Sequence, residues 1–178
     1  MSVVQESIRA RTCALWVDPK VHGAEVARFR SKVVAGPGDR DCSIWIGSIG
    51  GDGYGRFYIT RGGVGLCVRS NRYALALESG GRLGADVFAL HECDNPVCVK
   101  VNPVGCGVQH VVAGDQHDNM RRMARTGRGG GRSVIRGAGR GHDSRRALSV
   151  ALREAVRHGK WDAEAVYEAR SGSGLKLF

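Results

Sequence analysis

Aromatic side chains are scarce in this 178-residue chain: 3 Trp, 4 Tyr and 4 Phe stand beside 27 Gly, with only 4 Pro. The 42% apolar share therefore leans on small and aliphatic residues, which predicts a modest core of the kind that gains from a metal cross-link. No apolar run is long enough to cross a bilayer, and the opening MSVVQESIRARTC has no apolar stretch like that of a secretory signal. A cytoplasmic chain without membrane association is the expectation. In a reducing compartment the six cysteines, at 13, 42, 67, 93, 98 and 106, are expected as metal ligands or buried thiols rather than disulfides.

Negative charge is also in deficit. Asp and Glu number 17 against 27 Lys and Arg, a formal charge of +10. Between Arg121 and Arg146 nine Arg face the single acid Asp143, and Lys is absent from that stretch. Solubility alone does not call for such a concentration of guanidinium groups, whereas binding to nucleic acid does.

The pattern of elements predicts an α+β protein. A helix is expected over residues 24–33, ending at the Gly-Pro-Gly of 36–38. Three short strands, CSIWIG, RFYIT and LCVRS, follow with glycine-rich turns between them, then a short helix over 71–78. VFAL reads as a strand, the Cys- and Pro-containing segment after it as irregular, and DQHDNMRRMAR as a helix with N-terminal capping signals. The division expected is an N-terminal extension over 1–41, a core domain over 42–128, a Gly/Arg-rich linker over 129–142 and a helical C-terminal extension over 143–178. In the extension, Ala147, Leu148, Ala151, Leu152, Ala155 and Val156 share one helical face, and Asp162 can cap a second helix reaching Arg170. Such a pair suits a helix-turn-helix-like reader or a dimerisation hairpin equally.

The densest chemistry lies in His91-x-Cys93-x4-Cys98, followed by His110 and Asp118-Asn119. Two thiols across a short loop, with a histidine downstream, match the donor set of tetrahedral zinc. Cys42 is the choice for the fourth ligand, because it would pin the first strand to the metal loop. Cys106 competes with His110 for the same role. Cys13 and Cys67 have no partner pattern and read as structural, and His117 reads as solvent-facing.

LHECDNPVC, the Asn102-Pro103 pair and HVVAGDQHDNM together resemble homing-type HNH nucleases and their His-Cys box relatives. CSIWIG and GYGRF fit the same pattern, so the resemblance runs from about residue 42 to 128. It implies a ββα-metal core with antiparallel hairpins and a structural zinc held by Cys42, Cys93, Cys98 and His110. It further implies His91 as general base, Asn119 as ligand to a catalytic magnesium ion, and Arg56 as a phosphate or leaving-group contact. The nine-residue step from His110 to Asn119 is the family's, which favours His110 over Cys106. Two departures stand out: a longer stretch from 99 to 109, and Ser70-Asn71-Arg72 where relatives have Ala-His-Arg.

The chemistry implied is hydrolysis of a phosphodiester, in which a neutral imidazole takes a proton from water and a divalent ion neutralises the phosphate and leaving oxygen. The expected partner is double-stranded DNA, met by Arg56, Arg61, Arg69, Arg72, Arg121, Arg122 and Arg128. Cutting of both strands would call for a homodimer, since one such site cuts one strand. Homing, phage-encoded and type II restriction enzymes share these residues. The alternatives are a catalytically silent zinc-stabilised DNA-binding protein, and an RNA-binding zinc protein, which lacks here the aromatic pattern such modules use.

Overall fold

The computed structural model describes residues 14–125 and 140–172. Eight strands, β1 (Leu15–Trp16), β2 (Val33–Ala35), β3 (Ser43–Trp45), β4 (Arg56–Arg61), β5 (Val64–Arg69), β6 (Arg82–Leu83), β7 (Phe88–His91) and β8 (Val111–Gly114), combine with five helices. These are α1 (Gly23–Arg30), α2 (Ser70–Glu78), α3 (Gln116–Arg125), α4 (Arg140–Ala155) and α5 (Ala163–Gly172). The strands form four antiparallel pairs, β1–β6, β2–β3, β4–β5 and β7–β8. The architecture is thus mixed α and β, built on short hairpins.

Four of the eleven aromatics are gathered in one place. Phe29 of α1 stacks on Trp45 with ring centroids 5.1 Å apart and meets Tyr73 of α2 at 4.5 Å, while Phe57 of β4 lies edge-on to Tyr73 at 4.7 Å. All four rings are buried. Large side chains at the centre let a glycine-rich chain enclose a core, because each aromatic removes on the order of 150–250 Å² from water. Val26, Phe29 and Val34, from the segment expected as an extension, belong to this same core, as do Leu152, Val156 and Val166 of the C-terminal helices.

Three expectations need correction. The helix foreseen over 24–33 stops at Arg30, and Val33–Ala35 is a strand paired with Ser43–Trp45. Its two β-branched valines favour extended backbone, and Gly-Pro-Gly lies in the connection of a β hairpin, closed by Gly36 N–H on the Cys42 carbonyl at 3.0 Å. The first of the three foreseen strands accordingly pairs backwards with β2 rather than forwards with β4.

The third correction concerns α4. Its backbone is helical from Arg140, inside the segment foreseen as a linker. Its buried residues are Ser149 and Leu152, joined by Val156 just after its end, whereas Ala147 and Ala151 are exposed. The Ser149 hydroxyl is shared between the carbonyls of Gly53 at 2.6 Å and Arg145 at 2.9 Å, which turns this face towards the Gly50–Gly53 turn. Gly53 has φ +82° and lies against α4 so closely that a Cβ there would meet the Arg145 side chain at 2.9 Å and its backbone at 3.0 Å. Asp162 caps α5 as expected, accepting from Ala165 N–H at 3.0 Å. The rest of the foreseen linker, 129–139, residues 126–128 of the foreseen core domain and Cys13 lie outside the described residues.

Candidate metal centre and the histidine beside it

Cys42 precedes β3, Cys93 and Cys98 stand in the loop after β7, and His110 stands just before β8. Their ligand atoms all lie within 4.8 Å of one another. His110 Nδ1 is 3.7 Å from Cys42 Sγ and 3.8 Å from Cys98 Sγ. A tetrahedron with Zn–S near 2.3 Å and Zn–N near 2.0 Å has edges of roughly 3.5–3.8 Å, so the spacing fits. The other ring nitrogen, Nε2, lies 3.0 Å from the Asp39 carbonyl. Donation of a proton there leaves the Nδ1 lone pair facing the thiols, the arrangement that orients metal-bound histidine.

Hydrogen bonds from Cys93 and Cys98 hold the Cys42 thiol far below the usual range. The Cys93 thiol is pushed up by its bond to Cys42, and Cys98 chiefly by burial. A bound zinc would hold all three sulfurs as thiolates and release the protons they carry. Cys106 is exposed and takes no part, so the ligand set is the one expected. Cys67, half-buried on β5, is opposite Tyr58 in register.

His91 closes β7 directly across from Val111 in the β7–β8 register. It is 7% exposed, and burial pushes its imidazole down to about 3, with the Arg122 and Arg69 charges adding to the effect and the Cys42 thiolate opposing it. The ring is therefore neutral across the physiological range. Asn71 Nδ2 sits 3.1 Å from His91 Nε2 and 2.9 Å from the Ala89 carbonyl, so the amide donates to both. Sequence reasoning singled out position 71 only as a departure from a pattern; its bond to His91 is a tertiary contact with no local signal. His91 Nδ1 is buried and has no hydrogen-bond partner among the described residues. Tyr54, also missed, stacks on His91 with centroids 5.9 Å apart.

After β8, Gly114 lets α3 start close to the sheet: a Cβ there would meet Leu90 Cδ1 at 2.5 Å and Asp118 Cβ at 3.2 Å. Asp115 and Asp118 cap the helix reciprocally, Asp118 N–H donating to Asp115 Oδ1 at 2.8 Å and Asp115 N–H to Asp118 Oδ2 at 3.2 Å. Asn119 follows, half-buried, and His117 is exposed as expected. Arg122, one turn on and on the same helical face as Asn119, bonds to Glu92 and reaches Asp94 at 3.5 Å. The Asn119 face of α3 therefore looks towards the residues that follow His91.

The other arginines divide by role. Arg56 and Arg69 both pair with Asp52, at 2.8 and 2.9 Å, beside Tyr54. Arg61 forks onto Glu25 at 2.5 and 2.7 Å, and Arg72 donates to the carbonyls of Val87 and, at 2.6 Å, Gly84. Those two guanidinium groups hold the fold together. Arg121 is exposed on α3, and Arg128 lies outside the described residues.

No family model and no solved structure matches the chain. Over 88 residues it is 30% identical to Protein 7.7 of Escherichia phage T7, covering 49% of this chain and 58% of that protein. The chain thus spans little more than half the length of the curated relative it matches.

Proposed function

We propose that the chain is a zinc-stabilised, magnesium-dependent DNA endonuclease of the HNH, or ββα-metal, class. The observation that carries this reading is the order β7, metal loop, β8, α3, with His91 ending the first strand and Asn119 on the helix face turned towards residues 92–94. The net charge of +10 supports a polyanionic substrate.

In this reading His91 accepts the proton of the attacking water at Nδ1, its unpartnered nitrogen. That role needs the ring proton on Nε2, whereas the Asn71 amide, oriented by Ala89, favours it on Nδ1. The required tautomer therefore forms only once the Asn71 amide has moved off Nε2, since turning it in place would set its oxygen 2.9 Å from the Ala89 carbonyl oxygen. An incoming phosphodiester places negative charge near the ring and raises its proton affinity. The Asn119 side-chain oxygen would hold magnesium, which when bound neutralises the phosphate and the leaving oxygen. Arg56 and Arg69 stand ready to exchange part of their pairing with Asp52 for phosphate. A homodimer serves double-strand cutting, each copy taking one strand.

The test is incubation of the pure protein with plasmid and phage DNAs, with magnesium and with EDTA, followed by sequencing of fragment ends. Discrete magnesium-dependent ends are expected. Tight binding without cutting on any substrate would favour a silent zinc-stabilised DNA-binding protein instead.

A further inference from the structure

Around Tyr54 the charges do not balance. The Arg69 guanidinium lies 4.2 Å from the Tyr54 ring centroid and that of Arg145, from α4, lies 5.6 Å away. The Asp52 carboxylate pairs with Arg56 and Arg69. Arg145 donates to the Asp52 backbone carbonyl at 3.3 Å, and no carboxylate pairs with it among the described residues. Three guanidinium groups thus meet one carboxylate, two positive charges in excess, next to a neutral histidine whose ring stacks on the same tyrosine. Half-buried cations in excess are costly unless an anion completes them.

The position is built rather than incidental. Ser149 ties α4 to the Gly53 carbonyl, and Gly53 admits the backbone of Arg145 and Arg146 at contact distance. The same turn carries Asp52 and Tyr54, so α4 and the β4 entry are fixed to one another at the residue where the excess charge lies.

We infer that Arg145 is a phosphate-binding residue of the DNA site, delivered by the C-terminal helix, so that α4 is part of the substrate surface. The inference rests on the nuclease reading for the identity of the polyanion. The occupant is a backbone phosphate of the bound duplex, near the one facing His91. Arg145 holds it by charge and by the planar fork of its guanidinium group.

The experiment is duplex binding by the full-length protein in calcium-free, magnesium-free buffer across a salt series, for wild type, Arg145→Gln, Arg145→Lys and Arg157→Gln. Loss of one phosphate contact weakens binding about tenfold at low salt and flattens the slope of log K against log salt by about 0.9. Arg145→Gln is expected to do this, Arg145→Lys to keep the wild-type slope with weaker binding, and Arg157→Gln, just beyond the far end of α4, to change neither. Thermal melting of each variant separates lost packing from lost charge. Equal slopes for wild type and Arg145→Gln, with wild type binding and cutting DNA, would overturn this inference and leave the nuclease reading intact. A wild type that binds no duplex would overturn both.

Discussion

The amide of Glu92, next to His91, donates to the carbonyl of His110 at 2.7 Å, one step beyond the His91–Val111 register pair. Metal centre and buried histidine therefore lie at the same end of one hairpin. Whatever fixes His110 fixes the strand on which His91 ends.

Zinc should be found at one ion per chain by elemental analysis. Its removal should unfold the protein, because structural zinc contributes on the order of 10 kcal/mol to small domains. Cys98→Ser, at a fully buried ligand, should lower the melting temperature sharply and reduce bound zinc. Cys106→Ser should do neither. A chelator-treated, zinc-free chain that keeps the wild-type melting temperature would refute the four-ligand assignment.

Acid should weaken the α1 anchor. Burial pushes the Glu25 carboxyl up, but hydrogen bonds from Arg61 and Tyr73 and the Arg61 charge outweigh it, so its folded pKa lies below the ordinary 4.5. A depressed carboxylate contributes stability that is complete above the unfolded value and is lost as pH falls through the folded one. Glu25→Gln should therefore be less stable than wild type at pH 7, with the difference shrinking below about pH 4.5. Urea titrations at pH 7 and pH 3 check this, and a gap that widens in acid would contradict it.

Much of the metal site was legible because ligands to one ion carry strict chemical identity. The Cys93-x4-Cys98 loop and even the distant Cys42 could be named from residue type and placement, whereas His110 was favoured over Cys106 by the family resemblance. Helix α2 and strands β4, β5 and β7 were legible from composition and turn glycines. What escaped was set by tertiary contact. Val33–Ala35 continues a helical-looking run and becomes a strand only because Ser43–Trp45 returns beside it. The α4 face is centred on Ser149, a polar residue that buries because the Gly53 carbonyl awaits its hydroxyl. Asn71 and Tyr54 gain meaning only once the fold brings them to His91.

The seat of α4 should be sensitive at Gly53. Its φ of +82° disfavours any side chain, and the added Cβ collides with the helix backbone. Gly53→Ala should cost about 1–3 kcal/mol. Gly62→Ala, with φ +55° but open space around it, should cost only about 1 kcal/mol. Denaturant melts of the two variants decide the order, and a Gly53→Ala protein as stable as Gly62→Ala would contradict the close approach.

Asn71→Ala removes the hydrogen-bond partner that His91 Nε2 has among the described residues and leaves the Ala89 carbonyl without that donor. A loss of about 1–3 kcal/mol in stability is expected from the buried unpaired groups. DNA cutting should fall as well, while duplex binding stays near wild type. Unchanged cutting would detach Asn71 from the orientation of the His91 ring.

The decisive comparison is single-turnover nicking of supercoiled plasmid with magnesium by wild type and His91→Ala, each shown to hold zinc and to bind the plasmid equally. Magnesium-dependent nicking by wild type that His91→Ala lowers by at least a hundredfold, on the order of a lost general base, is the expected result. Equal rates from the two proteins would contradict a catalytic role for His91.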